Sequence, residues 1–129
     1  MKRLIPKVAI VDDHYFFRET ASRYLQSIGF NVVLEARNGM EFIRSLDSGF
    51  CVPDACLLDM EMPVMDGLAT TYVLRERYPA IKIVAITLSL DVSKTDRLLK
   101  AGALKVLHKA MDATELKDAL YSTLMASNT

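Results

Sequence analysis

The sequence predicts an α/β protein built on an open, doubly wound parallel sheet with helices on both faces. Two observations predict it. Short apolar runs rich in β-branched residues alternate with stretches whose apolar residues recur at helical spacing. The alternation occurs five times in 129 residues, enough for one domain with a single core and too few units for a closed eightfold barrel. A single domain over 1–129 is therefore expected.

KVAIV at 7–11 reads as the first strand, bounded by Asp12-Asp13. From His14 to Ile28 the residues Phe17, Ala21, Tyr24, Leu25 and Ile28 follow a helical period, and Gly29 marks the stop. NVVLEA at 31–36 is the second strand. Asn38-Gly-Met-Glu41 has the form of a capping box and opens a helix carrying Phe42, Ile43 and Leu46. DACLL at 54–58 is the third strand, and a helix from about Asp66 to Arg77 ends before Pro79. IKIVAI at 81–86 is the fourth strand. The helix at 91–101 takes Val92, Leu98 and Leu99 as its apolar stripe and Gly102 as its stop. LKVLH at 104–108 is the fifth strand, and Asp112-Ala-Thr-Glu115 caps a last helix using Leu116, Ala119, Leu120 and Leu124. Parallel strands with right-handed crossovers leave a doubly wound sheet, most simply in the flavodoxin-like order 2-1-3-4-5. That order places strands 1 and 3 side by side at the switch point, where ligands bind at the carboxyl ends of strands.

The composition is that of an ordinary globular chain, 51% hydrophobic and 25% charged, with 16 basic and 16 acidic residues. With no net charge and no basic run, there is no electrostatic case for direct nucleic-acid or membrane-surface binding. The N-terminal apolar stretch is too short for a signal peptide or a span. Cys51 and Cys56 cannot make a structural zinc site alone and read as reduced thiols, in keeping with a cytoplasmic setting.

Asp12 and Asp13 end strand 1 and Asp59 ends strand 3, so the predicted order crowds three carboxylates into one crevice. At ~5 Å and an effective dielectric of ~20, each like-charged pair repels by roughly 3 kcal/mol. Such a cluster calls for a cation, and all-oxygen ligation with few protein ligands suits Mg²⁺. Thr87 follows strand 4 and Lys109 follows strand 5 at the same edge. The metal and Lys109 could neutralise an incoming phosphoryl group, Thr87 could hydrogen-bond its oxygens, and Asp59 could attack phosphorus as a carboxylate nucleophile.

VDD at 11–13, LLDMEMPVMDG at 57–67, AIT at 85–87 and HKA at 108–110 occur in order across nearly the whole chain. With these motifs the sequence resembles the receiver domains of two-component response regulators. The VDDH start and the Asp112-x-x-Glu115-Leu116 ending are closest in flavour to receivers attached to helix-turn-helix output domains. The resemblance implies that Asp59 accepts a phosphoryl group from a sensor histidine kinase or phosphotransfer protein. It implies that Asp13 and Asp59 ligate Mg²⁺ directly, that Asp12 acts through water and that Glu61 supplies its backbone carbonyl. Thr87 and Lys109 would bind the phosphoryl oxygens. The surface of helix 4, strand 5 and helix 5 would signal to an output domain or downstream protein, and a homodimer is compatible with this family. The protein would be a signalling switch rather than an enzyme.

Plainer roles compete at single residues. Asp12 or Asp13 could cap a helix. Asp66-Gly67 reads as a cap with a close-packing glycine, His14 and His108 as entrance or surface side chains, Met60, Met62 and Met65 as space-fillers, and Phe17 as core. A degenerate receiver acting as a phosphorylation-independent binding module is the alternative function, opposed by the intact set Asp12, Asp13, Asp59, Thr87 and Lys109. A dehalogenase-like hydrolase would carry its nucleophile after the first strand. A flavodoxin would not place two acids where the cofactor phosphate sits. Three departures from the family pattern carry expectations. Lys109-Ala110 lacks the usual proline and is expected to be trans. Leu88 stands where a small residue is usual and is expected to lie over Asp59 as an apolar lid. Val106 replaces a switching aromatic ring, which moves the expected response to residues 88–101.

Overall fold

A computed structural model describes residues 5–49 and 51–125. The expected alternation is present: β1 (Lys7–Val11), α1 (Tyr15–Ser27), β2 (Asn31–Ala36), α2 (Gly39–Asp47), β3 (Ala55–Asp59), α3 (Gly67–Arg77), β4 (Lys82–Thr87), α4 (Val92–Ala101), β5 (Lys105–His108) and α5 (Ala113–Met125). The five strands form one sheet in the order β2-β1-β3-β4-β5, and every adjacent pair is parallel.

Alternation along each strand sorts the core into two layers. Ala9, Val11, Cys56, Leu58, Ile83 and Ala85 face α2, α3 and α4, where they meet Phe42, Ile43, Leu46, Leu74 and Leu98. Val8, Ile10, Ala55, Leu57, Val84 and Ile86 face α1 and α5, where they meet Ala21, Leu25, Leu116 and Leu120. Strands buried on both faces read as continuous apolar runs, which is how they were legible in the sequence.

Local polar chemistry sets the helix boundaries. Asn38 accepts a hydrogen bond from the Glu41 amide, while the Glu41 carboxylate returns to the Arg37 amide, one residue outside a standard capping box. Asp66, Asp91 and Asp112 cap α3, α4 and α5 through the amides of Ala69, Ser93 and Glu115. Gly102 closes α4 with φ of 129°, a conformation open to glycine.

Two sequence expectations need correction. In α4 only Leu98 of the three expected apolar residues is buried; Val92 and Leu99 are 84% and 46% exposed. At 100° per residue these three positions do not share a face, and Ala101 joins Leu98 in the core instead. Strands β3 and β4 also each run one residue further than expected, so Asp59 and Thr87 are their last strand residues. Asp59 is still in register with Ile86, and Thr87 with His108.

Candidate functional site

The registers bring the polar residues together. Val11 pairs with Leu58, which sets Asp12 beside Asp59 at the ends of adjacent strands. One strand further, Thr87 pairs with His108, and the Lys109 amide donates to the Thr87 carbonyl at 2.7 Å. The Lys109–Ala110 bond is trans, as are the other described peptide bonds. The loop from Met60 to Asp66 is held down by packing. Met60 and Met62 are buried, as expected of space-fillers. Gly67 lets α3 approach the end of β3 so closely that a Cβ there would lie 2.6 Å from the Asp59 carbonyl oxygen.

Asp12, Asp59 and Thr87 are fully buried polar residues at this edge, whereas Asp13 is partly exposed. Lys109 supplies much of the compensating charge. Its Nζ lies 2.8 Å from Asp12 Oδ2 and 3.4 Å from Asp59 Oδ2. It also lies 2.9 Å from His14 Nδ1 and 5.0 Å from the centre of the Phe17 ring. Phe17 is thus both core and a wall of the site, a role its helical spacing did not reveal. His14 is 61% exposed at the mouth, with Nδ1 3.3 Å from Asp12 and 3.6 Å from Asp13. The end of β1 is fastened by Arg18, which donates to the Asp12 carbonyl at 2.8 Å. The sequence offered no signal for that contact.

Burial pushes the Asp59 carboxyl up to about 6, Asp12 adds to the rise by like-charge repulsion, and Lys109 opposes it. The Asp59 Oδ1 oxygen also accepts the Glu61 amide at 3.3 Å. A divalent cation would find hard oxygen donors here. Asp12, Asp13, His14 and Asp59 can bring one ligand atom each within 4.8 Å of one another. Asp12 Oδ2 is buried without a hydrogen bond, since the nearby Lys109 ammonium forms an ion pair outside hydrogen-bond geometry. Such an orphaned oxygen fits a metal ligand, so the residues present suit Mg²⁺.

The Glu61 side chain takes a position that sequence reasoning missed. Its Oε2 accepts from the Thr87 hydroxyl at 2.8 Å and from Lys94 Nζ at 2.8 Å, and its Oε1 accepts from the Leu88 amide at 3.2 Å. Burial pushes the Glu61 carboxyl up, but hydrogen bonds from Lys94, Thr87 and the Leu88 amide, with the Lys94 charge, hold it below the usual carboxylate range. Leu88 itself is 59% exposed, so the expected apolar lid is not formed by a buried side chain. The chain turns out of β4 with the Leu88 amide directed to Glu61, and the side chain is left largely in solvent. Val106 is partly buried against the α2–α4 layer. His108 lies at the end of β5 and accepts the Ala110 amide at 3.0 Å through Nδ1. Cys51 and Cys56 are free thiols, and burial pushes that of Cys56 up to about 12.

Residues 8–121 match the family model of the response regulator receiver domain. The sequence is 34% identical over 115 residues to the transcriptional regulatory protein DegU of Brevibacillus brevis, covering 88% of this chain and 48% of DegU. It is 35% identical over 115 residues to the response regulator GacA of Pseudomonas syringae pv. syringae, covering 88% of this chain and 53% of GacA. Chemotaxis protein CheY of Listeria monocytogenes is 31% identical over 114 residues, 88% of this chain and 94% of that protein. The chain thus spans about half the length of DegU and GacA and most of that of CheY. Among solved structures, the signal receiver domain of NarL from Mycobacterium tuberculosis superposes with a TM-score of 0.88 at 28% identity, covering 97% of this chain and 100% of that one. A chain of the CheX–CheY–BeF₃–Mg²⁺ complex from Borrelia burgdorferi gives a TM-score of 0.85 at 26% identity, covering 92% of this chain and 89% of that one.

Proposed function

The chain belongs to the response regulator receiver family of phosphoacceptor signalling switches, and on that premise we propose that Asp59 is the residue that takes the phosphoryl group. The observation that carries this reading is Asp59 itself, a buried carboxylate at the end of a central strand, with Lys109, Asp12 and Asp13 around it. In the proposed step an Asp59 carboxylate oxygen attacks phosphorus of a phosphohistidine on a sensor kinase or phosphotransfer protein. The O–P bond forms, the P–N bond breaks, and the electron pair leaves with the imidazole, which takes up a proton. The product is a mixed anhydride on Asp59.

Lys109 and Thr87 serve as donors to the phosphoryl oxygens, and this is positioning and charge neutralisation rather than proton chemistry. Mg²⁺ would be held by Asp13 and Asp59, by Asp12 through water and by the Glu61 backbone carbonyl. When bound it would supply positive charge to offset that of the transferring phosphoryl group. The ammonium of Lys109 already offsets Asp12 and Asp59, so the pocket can hold its acids together before any metal enters. The response follows residues 88–101 and changes the surface of α4, β5 and α5. Val106 is stiff at χ1 and has no ring to swing. No described helix is long and apolar enough to cross a membrane, and a cytoplasmic receiver for an output domain or downstream protein is the setting proposed.

The test is intact mass after incubation with Mg²⁺ and acetyl phosphate. The parent should gain one phosphoryl group and Asp59→Asn none. No gain from acetyl phosphate or from a kinase would favour a phosphorylation-independent binding module.

A further inference from the structure

Thr87 carries one hydroxyl proton and Leu88 one amide proton, and both are directed at a carboxylate of the protein itself. The Thr87 hydroxyl is 2.8 Å from Glu61 Oε2, and its other acceptor contact, the Ser89 carbonyl, is longer at 3.2 Å. The Leu88 amide is 3.2 Å from Glu61 Oε1. A hydroxyl or amide proton given to one acceptor is not available to another. Resting on the reading of Asp59 as phosphoacceptor, we propose that the Glu61 carboxylate is a built-in occupant of the anion site that the phosphoryl group must enter. Lys94 holds it there, and phosphorylation expels it and so releases α4.

The geometry makes displacement obligatory. Glu61 is two residues from Asp59, and its amide donates to Asp59 Oδ1 at 3.3 Å while its carboxylate reaches across to β4. One residue therefore spans the acceptor and the donors that would stabilise the transferred group. An aspartyl-phosphate brings about two negative charges to this position, and a second carboxylate on the same donors would face them at close range. Thr87 can turn to the phosphoryl group only by leaving Glu61.

The same displacement carries information outwards. Lys94 lies in the first turn of α4 and pairs with Glu61 Oε2 at 2.8 Å, tying that helix to the loop after β3. Both side chains are over a third exposed, so the pair is weak enough to be broken by a charged group arriving nearby. Val92, two residues before Lys94, is almost wholly exposed, and the helix has only Leu98 and Ala101 buried. Few apolar contacts hold its N-terminal turn, which leaves the Asp91 cap and the Glu61–Lys94 tie to fix it. Glu61 is thus a positioning residue for phosphoryl transfer and the link between the acceptor and residues 88–101.

Three variants test this. Glu61→Gln keeps the hydrogen-bond acceptor and removes the charge, Glu61→Ala removes both, and Lys94→Ala removes the tether. Beryllofluoride affinity with Mg²⁺, read by ¹⁹F NMR, and the rate of labelling by acetyl phosphate are measured with thermal melts as a control for folding. Glu61→Gln and Glu61→Ala should bind beryllofluoride at least about fivefold more tightly and label faster at subsaturating donor. In the parent, beryllofluoride should raise hydrogen exchange in the first turn of α4. In Lys94→Ala that exchange should already be raised without ligand and should change little on binding. Unchanged beryllofluoride affinity and labelling in both Glu61 variants, with the parent labelled normally, would overturn the proposal. Exchange at α4 that responds equally in parent and Lys94→Ala would do the same. Labelling absent from the parent and every variant would instead overturn the phosphoacceptor reading on which the proposal rests.

Discussion

Lys109 Nζ stands 2.8 Å from Oδ2 of Asp12, a carboxylate with no solvent exposure. Two buried acids and one nearly buried ammonium share a small volume, since the same Nζ is 3.4 Å from Asp59. Removing one partner of a buried pair leaves an uncompensated charge, which costs more than the pair contributes. Lys109→Met should destabilise the metal-free protein by about 3 kcal/mol, and Mg²⁺ should restore part of the loss. Denaturant titrations in chelator and in Mg²⁺ measure both effects. A neutral substitution in chelator would show that the acids are relieved in another way.

Asp59 gives a pH prediction of definite sign. Burial and Asp12 raise its folded pKa to about 6, against about 3.9 when unfolded. The folded, metal-free protein therefore holds this proton more tightly than the unfolded chain. The contribution is fully present below about pH 4 and is lost as pH rises through about 6, on the order of 2–3 kcal/mol in all. Asp59→Asn should be more stable than the parent at pH 7.5 in chelator, with the gap shrinking towards pH 4.5. A gap of the same size at both pH values would contradict the assignment.

Gly67 sits where no side chain fits. An added Cβ would lie 2.6 Å from the Asp59 carbonyl oxygen and 2.7 Å from Met60 Cα, both backbone atoms. Gly67→Ala should cost about 1–3 kcal/mol and should also slow labelling, because relief requires the end of β3 to move. Unfolding curves and acetyl phosphate kinetics read the two effects. A variant of full stability and full rate would mean that α3 shifts freely.

Val64 has φ of 70° and is 78% exposed, in a tight turn where the Met65 amide donates to the Pro63 carbonyl at 2.7 Å. A β-branched residue is costly at positive φ, on the order of 1 kcal/mol or more. Val64→Gly should raise stability by about 1 kcal/mol, since glycine reaches positive φ without a Cβ clash. Loss of stability would show that the valine side chain contributes packing that outweighs its backbone cost.

Much of this arrangement was legible in the sequence because it depends on strand ends. Asp12, Asp59, Thr87 and Lys109 each stand at the end of an apolar run, and sheet register brings them together. Asp66-Gly67 was readable as a cap and a close contact because both roles are local. What remained hidden depends on side-chain direction over long sequence separations. Glu61 reaches Thr87 and Lys94, 26 and 33 residues away, and no periodicity announces which way it turns. Strand order alone points to a metal as the cation that the acids require, whereas Lys109 already offsets part of their charge. Residue size suggests a lid at Leu88, but the direction of its backbone decides its exposure. The stripe of α4 failed because Val92 and Leu99 are apolar residues on the solvent side, which composition cannot distinguish from core.

Borohydride trapping tests most directly whether Asp59 is the phosphoacceptor. An acyl phosphate on an aspartate is reduced to homoserine, which peptide mass spectrometry can place at a single position. After incubation with Mg²⁺ and acetyl phosphate, homoserine is expected at position 59, absent without Mg²⁺ and absent in Asp59→Asn. Homoserine at position 12 or 13, or a phosphoryl mass gain with none at position 59, would contradict it.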